Sequence, residues 1–163
     1  MLKNTKVVEE YIKNHFSFVY SIALICPIYL MGGALKDIEN DRIPKDLDFV
    51  CLCNNANEVN QLILDYINKF HLEYKINRLG GFKITVNDTT IDIWTTNDLL
   101  KAIQYNLDGL FFDVRSSSYI PFGYYDALEN GLREINPNNN LKDKKENRKI
   151  KLYKYMEVLK SKK

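Results

Sequence analysis

The chain has 163 residues, of which 45% are hydrophobic and 27% charged; that is one domain's worth of material with enough apolar content for a packed core, and it excludes disorder of the whole chain. The net charge of +2 conceals an asymmetry: residues 140–163 hold ten of the 23 Lys and Arg and three of the 21 acids, a local +7 that leaves −5 on residues 1–139. The longest apolar run, Ile22 to Leu35, is interrupted and too short to span a membrane, no signal-peptide layout is visible, and three cysteines make no disulfide framework, so a cytoplasmic protein without a membrane partner is expected.

Val7 to Phe18 has helical spacing, and Cys26-Pro27 breaks it. Ile28 to Met31 reads as a short buried strand stopped by Gly32-Gly33, with two helical turns following from Ala34 to Glu39. Asp46 to Cys53 is a strand that alternates early and then turns apolar, and Ala56 to Phe70 is the clearest amphipathic helix. Leu72 to Leu79 and Phe82 to Val86 are expected strands around Gly80-Gly81, and Asn87-Asp88 is a hairpin turn signal before the strand Thr89 to Trp94. Thr96 opens an expected helix running to about Tyr105; Leu110 to Val114 is a further strand, and Tyr124 to Asn130 a short helix ending at Gly131. After the polar break Asn136 to Asn140, Lys142 to Leu159 reads as a basic final helix. The order predicts an α+β domain, a small mixed sheet with helices packed on one face, over residues 1–140, followed by a basic C-terminal helix at 141–163 that packs on it or extends from it.

Three pieces carry chemistry. Gly32-Gly33 lies between a strand and a helix, where the absence of side chains lets backbone N–H groups approach a phosphate; from the pair alone a simple tight turn is the commoner reading. Asp46 and Asp48 stand two residues apart on a strand and so share a face. Two carboxylates that close repel unless a cation lies between them, and hard oxygen ligands suit Mg²⁺; a solvated strand start is the alternative. Asp92, between Ile91 and Ile93, projects away from the face the isoleucines bury. A two-residue turn at Asn87-Asp88 pairs Lys83 with Asp92 and gives the hairpin a polar working face of Lys83, Thr85, Thr90 and Asp92.

An apolar residue, Gly-Gly, about a dozen residues, Asp-apolar-Asp-apolar and a later apolar-Asp-apolar together resemble the DNA polymerase β-like nucleotidyltransferases. Within them, Tyr29 to Asp37 followed by Lys45 to Phe49 is similar to the head domain of poly(A) polymerases and CCA-adding enzymes; Asn106 to Asp113 and Tyr125 to Leu132 resemble the later head motifs. The resemblance implies a polymerase β-like head fold and transfer of a nucleoside monophosphate from an NTP, often ATP, to a hydroxyl with release of pyrophosphate. It implies that Asp46, Asp48 and Asp92 hold two Mg²⁺ ions, and that Gly32, Gly33, Lys36, Asp37 and Asp108 serve the nucleotide. Lys36 stands where the family usually has Arg, and Asp108 where it has Asn.

The chain departs further from that pattern. Ala102, Ile103 and Gln104 replace the family's paired arginines, and the tRNA-gripping neck, body and tail domains are missing. Arg148, Lys151 and Lys154 faintly resemble the basic helix that starts the neck and are the visible candidates for an RNA contact. The expected activity is therefore nucleotidyl transfer with an RNA end as acceptor; transfer to a protein or small molecule, or a silent NTP-binding subunit, are the alternatives. A second copy or a helper subunit would be the source of a missing body domain. Cys51 and Cys53 face away from the carboxylates as core thiols, His15 and His71 read as packing or surface, and Tyr119, Tyr124 and Tyr125 divide between core packing and base stacking.

Overall fold

The computed structural model describes residues 5–135 and 142–161. Its centre is a seven-stranded mixed sheet of order β3-β4-β5-β2-β1-β6-β7. The strands are β1 (Ile28–Met31), β2 (Asp46–Leu52), β3 (Glu73–Ile76), β4 (Phe82–Val86), β5 (Thr89–Thr96), β6 (Leu110–Asp113) and β7 (Ser118–Pro121). Every neighbouring pair is antiparallel except β2 and β5. A parallel pair needs a long crossover, and here α4 (Ala56–Phe70) followed by β3 and β4 supplies it.

Alternation along the strands sorts the side chains into two layers. Ile28, Leu30, Leu47, Phe49, Ile84, Ile91 and Ile93 face the main core. Over them lie α1 (Thr5–Phe16), α2 (Val19–Ala23), α3 (Gly33–Glu39), α4, α5 (Tyr124–Asn130) and α6 (Lys142–Ser161), each contributing buried apolar residues. The opposite face carries a smaller cluster of Tyr29, Met31, Val50, Trp94, Leu99, Ile103 and Phe111. The expected α+β sheet with helices on one face is what forms.

Local chemistry explains the element ends. Asn55 caps α4 by accepting the Asn57 N–H at 3.1 Å, and His71 stops the helix in the left-handed region at φ 52°. Asn87 and Asp88, at φ 47° and 66°, make the two-residue turn whose twist suits a hairpin, and its register places Lys83 opposite Asp92.

Several boundaries differ from the sequence-based expectation. The first helix ends at Phe16 and a separate α2 follows. The strand expected over Leu72 to Leu79 stops at Ile76, because the Asn77 side chain accepts the N–H groups of Leu79 and Gly81 and turns the chain. The helix expected from Thr96 to Tyr105 is a single 3-10 turn, Leu99–Ala102: Thr96 completes β5, Thr96 Oγ1 accepts the Asp98 N–H, and Asp98 accepts the Leu100 N–H. Strand β7, which lacks a long apolar run, was not predicted. The polar break at residues 136–141 lies outside the described residues.

Candidate active site

The register of five adjacent strands assembles one row across the working face of the sheet. Lys75 pairs with Lys83, Lys83 with Asp92, Asp92 with Asp48, and Asp48 with Met31. Asp46, two residues before Asp48, pairs with Thr90 on the same face. The β2–β5 parallel pairing thus brings together carboxylates 44 and 46 positions apart in sequence, which no local spacing could place. Asp46 is exposed, while Asp48 and Asp92 are half-buried.

Asp48 Oδ1 accepts the indole N–H of Trp94 at 3.3 Å. Burial is the main influence on Asp92 and raises its pKa above the ordinary aspartate value; Asp46 adds to that, and Lys83 and the Asn77 side chain work against it. A like-charged pair with a half-buried member is an arrangement that a cation would relieve. The donor set, three hard carboxylates on one face, fits Mg²⁺ in chemistry. Among the described residues, no three His, Cys, Asp or Glu side chains are already closed around a common metal position.

Gly32 ends β1 at φ 75° and ψ −147°, a region that side-chain-bearing residues avoid, and a Cβ there would stand 3.9 Å from Asp48 Oδ2. The turn therefore requires glycine for its backbone, while the carboxylate lies at ordinary contact distance. Gly33 has open space beside it and lines the cavity next to the acids.

That cavity measures about 770 Å³, within the range of small-molecule sites. Asp37, Asp46, Asp48 and Asp92 line it together with Lys36, Arg42, Lys45, Lys151, Lys154 and Tyr155. Helix α6 forms one wall: Leu152, Tyr155 and Met156 are buried in the main core, while Lys151 and Lys154 remain exposed on the cavity side. Asn40, at the end of α3, fastens that wall by donating to the Lys36 carbonyl at 2.7 Å and to Tyr155 Oη at 3.4 Å.

Lys36 and Asp108 behave as a unit. Lys36 Nζ lies 3.5 Å from Asp108 Oδ1 in a buried ion pair, and 5.8 Å above the Tyr155 ring. Asp108 Oδ2 also accepts the Tyr105 N–H at 3.2 Å, and Asp108 is not among the residues that line the cavity. Two of the positions where the sequence departs from the expected motif pattern thus face each other. Asp37 lines the cavity and has Arg42 Nε 3.9 Å away.

Of the residues singled out in the sequence, Gly33, Lys36, Asp37, Asp46, Asp48, Asp92, Lys151 and Lys154 converge on the cavity. Lys83 flanks Asp92 from the next strand. The Arg148 side chain lies outside the described residues. Tyr119 donates its hydroxyl to Glu39, Tyr124 is buried against Tyr155, and neither they nor Tyr125 line the cavity. His15 stacks on Tyr11, and His71 ends α4. Sequence reasoning missed Trp94, although its position two residues after Asp92 puts it on the same face; it missed Asn77, Arg42, Lys45 and Tyr155, for which no pattern stood out.

No family model and no curated protein sequence matches the chain. Solved structures do match. A tRNA-processing enzyme in an apo form superposes with a TM-score of 0.60 at 17% identity, over 87% of this chain and 40% of that one. A tRNA nucleotidyltransferase complexed with a primer tRNA and an incoming ATP analog gives 0.55 at 16%, over 73% and 38%. A CCA-adding enzyme with ATP gives 0.56 at 17%, over 82% and 34%. The chain therefore shares the fold of these structures, as the sequence motifs led us to expect, and spans two fifths or less of their length.

Proposed function

We propose that this protein is a Mg²⁺-dependent nucleotidyltransferase that moves a nucleoside monophosphate from an NTP to a hydroxyl, with an RNA end as the acceptor, in the cytoplasm. The observation that carries the reading is the row of Asp46, Asp48 and Asp92 on adjacent strands of a fold whose solved neighbours include tRNA nucleotidyltransferases, facing a cavity of nucleotide size. The neighbours complexed with tRNA and with ATP support RNA and NTP as partners here.

In this reading Asp46 and Asp48 would hold two Mg²⁺ ions, and Asp92 would help to hold one of them. Mg²⁺, when bound, lowers the pKa of the attacking hydroxyl and offsets charge on the leaving pyrophosphate. Gly33 leaves room for the phosphates beside the carboxylates. Arg42, Lys45, Lys151 and Lys154 supply positive charge around the rim. Trp94 orients Asp48 through the indole N–H, and Lys83 stands behind Asp92. Lys36, paired with Asp108 under the α3 turn, supports the cavity floor as well as facing it.

The test is incubation of the full chain with each labelled NTP, Mg²⁺ and RNA, followed by separation of RNA, protein and small molecules. Label on RNA is expected, and Asp48→Ala is expected to lower transfer by at least ~10³-fold while thermal unfolding stays cooperative. Label on protein alone would replace the acceptor, and no transfer with any NTP or acceptor would sink the enzymatic reading. Wild-type rates in Asp48→Ala would remove the metal assignment.

A further inference from the structure

The three cysteines, separated by up to 27 positions in sequence, meet in one place on the core face of the sheet, opposite the carboxylates. Cys51 pairs with Ile28 in the β1–β2 ladder, and the ladder runs on past it through a hydrogen bond from the Leu52 N–H to the Pro27 carbonyl at 2.9 Å. Continued one residue further, that register sets Cys53 opposite Cys26, which lies in the bend after α2 with its N–H bonded to the Ile22 carbonyl at 3.1 Å. The Cys53 N–H points the other way, to the Thr96 carbonyl of β5 at 3.0 Å, as it must when Cys53 and Cys26 form a non-hydrogen-bonded pair. The Cys26 thiol interacts with both other thiols, more strongly with Cys51 than with Cys53. Cys26 and Cys51 are buried; Cys53 is half-buried and so the thiol that solvent reaches.

We propose that Cys26 and Cys53 are a peroxide-sensitive dithiol that closes to a cross-strand disulfide, with Cys51 left as a buried thiol. Geometry selects this pair among the three. A non-hydrogen-bonded antiparallel pair has Cα atoms about 4.5 Å apart with side chains directed together, inside the disulfide window of about 4.4–6.8 Å. In the same register Cys26 and Cys51 are diagonal neighbours, an arrangement whose typical separation of about 7–8 Å lies beyond that window. Cys51 and Cys53 lie on one strand with parallel side chains that do not point at each other.

The chemistry balances with a peroxide as the oxidant. Cys53 sulfur attacks a peroxide oxygen, the O–O bond breaks, one water leaves, and Cys53 becomes a sulfenic acid. Cys26 then attacks that sulfur, the S–O bond breaks, the S–S bond forms and a second water leaves; two thiols are oxidised and one peroxide is reduced. The Cys51 thiol, against burial and aided by the Arg115 charge, holds the Cys26 thiol below its ordinary pKa, which suits it to the second step, whereas burial raises that of Cys53 and makes the first step the slow one. The loop that the bond closes, residues 27–52, holds Gly33, Lys36, Asp46 and Asp48, so oxidation would tie the two strands that present the site without touching it. The inference is independent of the proposed catalytic activity.

The experiment is hydrogen peroxide treatment of the full-length protein under native conditions, then denaturing alkylation, intact mass and peptide mapping. Expected are a monomer lighter by two hydrogen atoms, loss of two of three titratable thiols, a cross-linked peptide joining Cys26 to Cys53, reversal by dithiothreitol and an upward Tm shift. Cys26→Ala and Cys53→Ala should each lose the cross-link, and Cys51→Ala should keep it. A bond to Cys51, a disulfide-linked dimer, oxygen addition without a cross-link, or three surviving thiols would each overturn the proposal; the wild-type map decides the matter even where a variant folds poorly.

Discussion

Asp92 is raised mainly by desolvation, with Asp46 adding to it, so in the metal-free protein its ionised form is disfavoured relative to the unfolded chain. The sign follows from linkage: the side chain's contribution to folding is most favourable at low pH, where it is protonated in both states, and is lost as pH rises through its raised folded pKa. Asp92→Asn should therefore raise Tm in EDTA at neutral pH, and the gain should vanish as pH falls through the carboxylate range. In wild type, Mg²⁺ should produce a Tm increase that Asp48→Ala lacks; scanning calorimetry with and without metal checks both. Lys36 and Asp108 invite a second prediction. Because both are buried, Lys36→Ala takes the facing ammonium from a desolvated carboxylate and should cost about 3–5 kcal/mol, measured by urea unfolding. Asp108→Asn retains an oxygen for the Tyr105 N–H and should cost less. A Lys36→Ala protein of wild-type stability with only weakened NTP binding would make Lys36 a ligand of the nucleotide alone.

At the scale of elements, legibility followed the range of the forces involved. The Asn87-Asp88 hairpin and its Lys83–Asp92 pairing were readable because turn chemistry fixes register within a few residues. Helix α4 was readable from its apolar stripe. The β2–β5 parallel pairing, which builds the carboxylate row, was not readable from spacing, since the 43 residues between Asp48 and Asp92 carry no register signal; the resemblance implied only that the three carboxylates act together. The Thr96 segment was misread because Thr96 pairs with Leu52 in the sheet, so that the helical turn starts only after the Asp98 cap. Helix α6 shows the largest change in meaning. A run of lysines reads as a solvated face, yet Leu152, Tyr155 and Met156 bury themselves in the core while Lys151 and Lys154 line the cavity. Leu152→Ala should cost about 2–5 kcal/mol as a core truncation. The Lys151→Ala/Lys154→Ala double variant should change stability by no more than about 0.5 kcal/mol while weakening RNA or NTP binding, with the salt slope reduced by up to about two. Unchanged affinity and slope would take both lysines out of the site, and removal of residues 142–163 should unfold the protein rather than merely weaken a ligand.

For the molecule as a whole, the charge asymmetry of body and tail is resolved in space. The tail's +7 is not held apart from the acidic body, because α6 brings Lys151 and Lys154 to the same cavity as Asp37, Asp46, Asp48 and Asp92. With Arg42 and Lys45 on the rim, cations and carboxylates there are close to balanced in number, so the cavity as built has little net pull on a polyanion. A triphosphate placed against the carboxylates meets like charge a few ångströms away, and exposed rim cations recover little of that cost because solvent and salt screen them. A divalent ion between phosphate and carboxylate reverses the sign of that contact. NTP affinity should therefore depend steeply on Mg²⁺: titration calorimetry in Mg²⁺ should give a Kd at least about tenfold lower than in EDTA, equivalent to about 1.4 kcal/mol. Raising the salt should weaken the EDTA complex more than the Mg²⁺ complex, since only the former relies on exposed lysines and arginines. Equal affinity in EDTA and Mg²⁺, with strong salt sensitivity in both, would mean that the rim cations hold the phosphates and that the carboxylate row serves some other end.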